Sequence, residues 1–512
     1  MVNNSELPPW LKNRGSGVHL HPSSLPGGYG IGNLGRFAYE WIDFLSEAGF
    51  KYWQMCPVGP TGYGDSPYQV FSSSAGNPYF IDLDSLISMS YLSSSEVENI
   101  PLPAPNQVDY GNLYNTFFPV LKIAHRKFLQ SPDNLEKEYG CLTSFKKENE
   151  NWLTPFAKYQ ALKTKNNLKP WWLWENEDKN SRNSKIPECH AEEYEFQVFL
   201  QYLFRAQWKK LHQYAKSKNI SLIGDLPIYV APDSADVWFN PSFFQIDKDG
   251  NFHAVAGVPP DYFNEEGQLW GNPLYDWKKL KSDGYDWWLK RIKDQVELFE
   301  VVRIDHFRAF HDFWSIPSNS TNAKSGKWEK GPGLNFWEKI KDSFPDLPFL
   351  AEDLGDISKG VRKLRKSIPL PGMAVMQFAF DGNPKNLYLP HNLSKDLVLY
   401  TGTHDNDTSL GWYENTDEGT RSFFRTYLNV DGTTSGWDMI RQAYRSVSQL
   451  VIILGQDLLS LSSEARFNTP GTSFGNWNWR MTTEQFANLR NGSTEYLKEQ
   501  ALLADRIPVD LK

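Results

Sequence analysis

Four apolar runs in this chain end on side chains that could do chemistry. In "VVRIDHFRAF" (residues 301–310) Arg303 and Asp305 are two apart, so on a strand they project to one face. A guanidinium beside a carboxylate keeps it ionised and oriented, the state a carboxylate nucleophile needs. An ordinary ion pair would use the same two residues, so the other strand ends must decide between the readings. "PFLAEDLG" (348–355) ends on Glu352 and Asp353, and because strand neighbours point to opposite faces only one can look into a shared cleft. Alternation groups Glu352 with Leu350. A Glu held in a partly desolvated cleft beside other carboxylates has a raised proton affinity, which suits a general acid that later serves as base. "TGTHDNDT" (401–408) brings His404, Asp405 and Asp407 after a further run, and "LIGDLPIYV" (222–230) carries Asp225. An Asp before a turn is commonly only a cap, so the role of Asp225 rests on its company. One ionised and one protonated carboxyl are what glycosidic bond cleavage through an oxocarbenium-like transition state requires, and a third can stabilise that state.

These side chains need a scaffold that gathers strand ends on one rim. Eight apolar segments read as buried parallel strands: "GVHLHPSSL" from Gly17, "KYWQMCPVG" from Lys51, "SLIGDLPIYV" from Ser221, "VVRIDHFRAF" from Val301, "PFLAEDLG" from Pro348, "MAVMQFAF" from Met373, "LVLYTGTHD" from Leu397 and "LVIILGQDL" from Leu450. Between the first two, Phe37, Trp41, Phe44, Leu45 and Ala48 recur at helical spacing and Gly49 supplies a stop. The pattern predicts an α/β fold, a (β/α)8 barrel, whose carboxyl rim is where active sites are built. The whole chain, 1–512, is expected to form one catalytic barrel domain with two insertions. The first, about 60–220, is mostly helical, and Phe196, Phe199, Leu200, Leu203, Trp208 and Leu211 mark an apolar face in it. The second, about 231–300, contains "GVPPDYFNEEGQLWGNPLY" (257–275), dense in Pro, Gly and aromatics, which reads as a long ordered loop of the kind that forms lids.

Composition narrows the partners. A formal net charge of −8 disfavours a polyanion, so no nucleic-acid partner is expected. The longest aliphatic runs are too short to span a bilayer, and the opening "MVNNSELPPWLKNRG" has no basic stretch followed by an apolar one, so no membrane association is expected. The three cysteines, Cys56, Cys141 and Cys189, have no metal-ligand or redox spacing, which predicts a reducing, cytoplasmic compartment, and the short stretch before the first sequence block leads us to expect a bacterial cytoplasm or a processed form. No calcium-loop pattern occurs, and neither a metal nor a cofactor is expected. The 20 Trp in a chain that is 15% aromatic serve either a large core or platforms for the apolar faces of sugar rings.

At this level of detail the chain resembles the 4-α-glucanotransferases, the amylomaltase or disproportionating-enzyme family (glycoside hydrolase family 77) of the α-amylase clan. The resemblance rests on an ordered set of blocks across nearly the whole sequence: "GPTGYGDSPYQVFSSSAGNPYFIDL" from Gly59, "GDLPIYVAPDSADVW" from Gly224, the 257–275 block, "RIDHFRAF" from Arg303, "AEDLG" from Ala351, "GTHDND" from Gly402 and "SEARFNTPGTSFGNWNWR" from Ser463. It implies that Asp305 is the nucleophile, Glu352 the general acid/base and Asp405 the transition-state stabiliser. It also implies that Arg303, His404 and Asp225 hold the reacting glucose, with Tyr68 stacked beneath it. Tyr262, Phe263, Gln268 and Trp270 look like acceptor-side residues that grip an incoming glucan, although a self-packed loop would use them too. The substrates implied are α-1,4-glucans and maltooligosaccharides, with transfer to an acceptor 4-hydroxyl and cyclic glucans as a further product class. Alpha-amylases carry a His in the third-strand motif that "GDLPIYV" lacks, which favours the transferase branch. The alternatives are an α-glucan hydrolase of the same clan and a glucan-binding protein without catalysis.

Overall fold

The computed structural model describes residues 7–98, 100, 104–247, 249–260, 265–355, 357–472 and 474–507. Among them the strands are β1 (Gly15–His19), β2 (Tyr52–Gln54), β3 (Ser221–Leu226), β4 (Ala254–Val258), β5 (Gln268–Pro273), β6 (Val301–Ile304), β7 (Asp312–Pro317), β8 (Lys327–Lys330), β9 (Phe349–Ala351), β10 (Gly372–Val375), β11 (Leu397–Tyr400) and β12 (Leu450–Leu454). Eight of them form one sheet in the order β10-β11-β12-β1-β2-β3-β6-β9, every pair parallel. These are the eight segments expected from the sequence. The two edge strands meet where the Ala351 N–H donates to the Pro371 carbonyl at 2.9 Å and the Met373 N–H donates to the Asp353 carboxylate at 2.9 Å. The sheet therefore curls into a nearly closed (β/α)8 barrel.

Both faces of such a sheet are covered, which is why its strands are continuous aliphatic runs rather than alternating ones. Alternation still operates inside the barrel. Tyr52, Ile223, Val301, Leu350, Met373, Val375, Val398, Tyr400, Leu450 and Ile452 form one buried cluster within it. Gly17 makes room there, since a Cβ at that position would lie 2.7 Å from Cβ of Tyr52 and 2.8 Å from Cδ1 of Ile452. Outside, the helix Arg36–Glu47 buries Trp41, Phe44 and Leu45 and gives way at Gly49, whose φ of +82° suits glycine.

The chain between β2 and β3 is largely helical, and its longest helix, Ala191–Ser217, buries all six residues of the expected apolar face. Two glutamines on that helix hold the preceding segment as a strand partner would. Gln201 accepts from the Gly76 N–H at 2.7 Å and donates to its carbonyl at 2.9 Å, while Gln207 does the same to Asp82 at 2.8 and 3.1 Å. The segment that follows Tyr68 is thereby tied to the helix.

Residues 257–275 differ from the expected loop. Strands β4 and β5 lie in this region and pair antiparallel, and they belong to a second sheet of order β5-β4-β7-β8. Pro and Gly mark the turn between the two strands correctly. β4 is held as a strand by β7, far along the chain, through main-chain hydrogen bonds that leave no local mark, and β5 is held in turn by β4. Among the described residues, no helix is long and apolar enough to cross a membrane.

Candidate active site

Strand register brings the first charged groups together. Asp225 on β3 stands opposite Arg303 on β6, and Arg303 stands opposite Leu350 on β9. The Arg303 side chain is only 5% exposed, and its Nη1 donates to Asp225 Oδ2 at 2.7 Å and to Asp305 Oδ1 at 3.0 Å. A buried guanidinium is tolerated when carboxylates take up its hydrogen bonds. Burial disfavours its charge, yet Asp225 and Asp305 raise its proton affinity overall. The same burial lifts the Asp225 carboxyl above the usual range, with Arg303 opposing and Asp305 reinforcing the rise.

Main-chain bonds continue past the strand ends. The Asp305 N–H donates to the Leu226 carbonyl at 3.1 Å and the Glu352 N–H to the Ile304 carbonyl at 3.0 Å. His306 then takes a left-handed conformation, φ +48°, and its N–H donates to Glu352 Oε2 at 2.8 Å, while the Leu354 N–H donates to Oε1 at 2.9 Å. Two amide donors and Arg303 favour the carboxylate, but burial, the largest influence, together with Asp305 pushes Glu352 up to about 7. Its neighbour Asp353 turns the other way and pairs with Arg365 Nε at 2.9 Å.

The loop after β11 carries the next pair. His404 Nε2 lies 3.4 Å from Asp405 Oδ2, and Asp405 Oδ1 accepts from Asn468 Nδ2 at 2.6 Å. Burial would raise the Asp405 carboxyl; the His404 charge and hydrogen bond, Asn468 and Arg303 instead hold it well below the usual range. Burial would likewise suppress the His404 cation, and Asp405 raises it. The His404 ring thus faces a carboxylate that favours its protonated form. The Tyr68 hydroxyl lies 3.3 Å from His404 Nδ1 and donates to Asp225 Oδ2 at 2.8 Å, so Nδ1–H donates to Tyr68, which donates onward. The Tyr68 ring stacks on His404 with centroids 4.9 Å apart and planes at 25°, and Trp477 lies 5.8 Å from Tyr68.

The structure joins Asp225, Arg303, Asp305, Glu352, Tyr68, His404 and Asp405 on one rim. Gln268 and Trp270 reach it from β5: Trp270 Nε1 donates to Gln268 Oε1 at 3.0 Å, and the Trp270 ring meets the His306 ring edge-on at 4.9 Å. Tyr262 and Phe263 lie outside the described residues.

Several supporting residues escaped the sequence reading. Asp457, wholly buried, accepts from Thr401 Oγ1 at 2.6 Å and from the Ser409 N–H and Oγ at 2.7 Å each, pinning both ends of the His404 loop. Arg466 donates to the Asp405 carbonyl at 2.7 Å, and the Asn468 N–H donates to the His404 carbonyl at 3.1 Å. The "SEARFN" block was a sign that this segment matters, but nothing local pairs Asn468 with Asp405, 63 positions away. His19 and Cys56 also sit against His404 without any signal in their spacing.

The profile of glycoside hydrolase family 77, described as 4-alpha-glucanotransferase, matches residues 20–485. A 4-alpha-glucanotransferase of Thermus thermophilus is 45% identical over 481 residues, covering 91% of this chain and 95% of its own. One from Streptococcus pneumoniae serotype 4 is 42% identical over 482 residues, covering 93% and 94%. Among solved structures, an amylomaltase from Streptococcus agalactiae in complex with acarbose superposes with a TM-score of 0.92 at 37% identity, covering 97% of this chain and all of that one.

Proposed function

The chain belongs to glycoside hydrolase family 77, the 4-alpha-glucanotransferases, and is an enzyme of glucan transglycosylation; from that premise we propose that its rim carries out retaining transfer of α-1,4-glucan segments between maltooligosaccharides or longer glucans. Asp305 attacks the anomeric carbon while Glu352 protonates the departing glycosidic oxygen. A covalent glucosyl-enzyme forms and the shortened glucan leaves. Glu352, now a carboxylate, deprotonates the 4-hydroxyl of an acceptor sugar, whose oxygen displaces Asp305. Two inversions leave the α configuration unchanged.

The observation that carries this reading is the pair of unlike carboxyls on one rim, Asp305 hydrogen-bonded to Arg303 and Glu352 pushed up to about 7. A group with proton affinity near the working pH gives and takes a proton with least cost, an effect worth about 10²–10⁴ in rate. Asp405, kept anionic by His404 and Asn468, stabilises positive charge as it develops on the sugar ring. Arg303, His404 and Asp225 receive hydroxyls of the reacting glucose, and the Tyr68 ring forms its floor.

Transfer outruns hydrolysis when the acceptor is held against the intermediate and water is kept away. Gln268 and Trp270 are the acceptor-side grip. Tyr262 and Phe263 of the same segment are assigned there on the family resemblance alone. The three cysteines are free, which supports a reducing, cytoplasmic setting. Incubation with maltotriose tests the reading: transfer gives free glucose with a ladder of maltopentaose and longer products. Shortening without a ladder would make the protein a hydrolase.

A further inference from the structure

Three residues that no catalytic step uses together meet beneath the glucose platform. His19 closes β1, Cys56 lies two residues past β2, and His404 follows β11. The barrel order places β1 beside β2 and β11 one strand further round, beyond β12, and one ligand atom from each residue lies within 4.8 Å of the other two. His19 Nε2 is 3.6 Å from Cys56 Sγ, and the His19 and His404 rings meet edge-on at 5.8 Å. All three are buried, with exposures of 4%, 0% and 5%.

As packing alone the arrangement is poor. His19 Nε2 faces only a thiol, a weak hydrogen-bonding partner, and Nδ1, equally buried, has no partner at all. Two aliphatic side chains would fill the same space without burying polar atoms. As a ligand set the arrangement is apt. Zn–N bonds of about 2.0 Å and Zn–S bonds of about 2.3 Å put ligand atoms of a tetrahedral site roughly 3.3–3.8 Å apart, which the His19–Cys56 pair already matches. A thiol with two imidazoles selects a thiophilic cation over calcium or magnesium, which want oxygen ligands.

We propose that His19, Cys56 and His404 bind a thiophilic divalent cation, with Zn²⁺ as the physiological candidate, and that occupancy silences the enzyme by withdrawing His404 from the glucose. On binding, the cation takes the place of the Cys56 thiol proton, which passes to solvent, and one ring nitrogen each of His19 and His404 ligates it as neutral imidazole. The inhibitory half rests on the assignment of His404 to the reacting glucose; the site itself does not.

The test uses the full chain with the exposed Cys141 and Cys189 changed to Ser, so that Cys56 is the single thiol. Titration with Cd²⁺, followed through the sulfur-to-metal charge-transfer band in the ultraviolet, is expected to saturate at one equivalent. Zn²⁺ added to the maltotriose assay is expected to lower transfer about tenfold or more, with recovery on chelation. Cys56→Ser keeps basal transfer, loses the band, and needs about 100-fold more Zn²⁺ for the same inhibition. His19→Leu, which spares the thiol, shifts the Zn²⁺ response likewise. Absence of the band, a band without inhibition, or equal Zn²⁺ sensitivity in Cys56→Ser would each overturn the proposal. A protein with no transfer activity but a Cys56-dependent band would defeat the transferase reading and leave the cation site standing.

Discussion

Two buried arginines sit at opposite ends of this barrel and are held in opposite ways. Arg303, at the carboxyl rim, is bound by two carboxylates. Arg506, wholly buried near the start of β1, donates to no carboxylate but to main-chain carbonyls, Nε to Tyr444 at 2.8 Å, Nη1 to Gly15 at 2.9 Å and to Gln449 at 3.1 Å, Nη2 to Ser448 at 2.8 Å and to Ser446 at 3.1 Å, and to the Ser446 hydroxyl at 3.4 Å. The electrostatic outcomes diverge accordingly. Burial followed by the charge of Arg14 lowers the proton affinity of Arg506, whereas the carboxylates raise that of Arg303. Carbonyl dipoles satisfy the geometry of a guanidinium and staple the last helix to the barrel floor. Carboxylates also balance its charge, and at the rim one of them, Asp305, is the nucleophile of the proposed mechanism. One end of the molecule uses arginine to join segments, the other to set charge.

Substitutions at the two ends should separate these roles. The largest effect is expected at Asp305. Asp305→Ala should lower kcat for maltotriose transfer roughly 10⁴-fold or more while glucan binding by calorimetry persists, as for other lost nucleophiles. Turnover near that of the parent would remove Asp305 from its role. Next comes the contrast itself. Arg303→Met leaves two carboxylates facing each other without their cation, at a cost of about 3–5 kcal/mol in stability. Transfer should fall about 100-fold or more in the protein that still folds. Arg506→Met leaves carbonyls without donors, worth about 3 kcal/mol, and should lower the thermal midpoint with kcat within about twofold of the parent. If Arg506→Met impaired kcat as much as Arg303→Met, the division between a structural and a chemical end would collapse.

Acidity gives a smaller and graded effect. Glu352 must carry its proton to expel the leaving group and stands at about 7 in the folded protein, above the ordinary 4.5. Raising the pH through 7 therefore removes the active form, and kcat/KM should fall about tenfold per unit beyond it. A level profile from pH 6 to about 9 would show that another group donates the proton. The mildest change is expected at Trp270, against His306 rather than against a carboxylate. Trp270→Ala should lower the ratio of transfer to hydrolysis about three- to tenfold with maltotriose, read from glucose released against longer products. An unchanged ratio would leave the second sheet without an acceptor role.

The sequence by itself determined the barrel and its acids. Strands covered on both faces must be continuous apolar runs, and a charge at the end of such a run must sit where the strand emerges, so the eight segments and the acids at their ends could be located directly, whereas the choice of Asp405 over Asp407 came from the family resemblance. Period-two alternation also separated Glu352 from Asp353, which departs toward Arg365. Tertiary structure decided which distant groups meet. That Asp225 shares Arg303 with Asp305 follows from the register of β3 and β6, and that β4 and β5 are strands follows from the pairing of β4 with β7 and of β5 with β4. Asp457, Asn468 and the meeting of His19 and Cys56 with His404 depend in the same way on how the barrel closes. Burial and periodicity are written residue by residue along a chain, because each side chain carries its own transfer free energy and each backbone its own repeat. Proximity between strand ends is a property of the closed sheet, and no stretch of the sequence contains it.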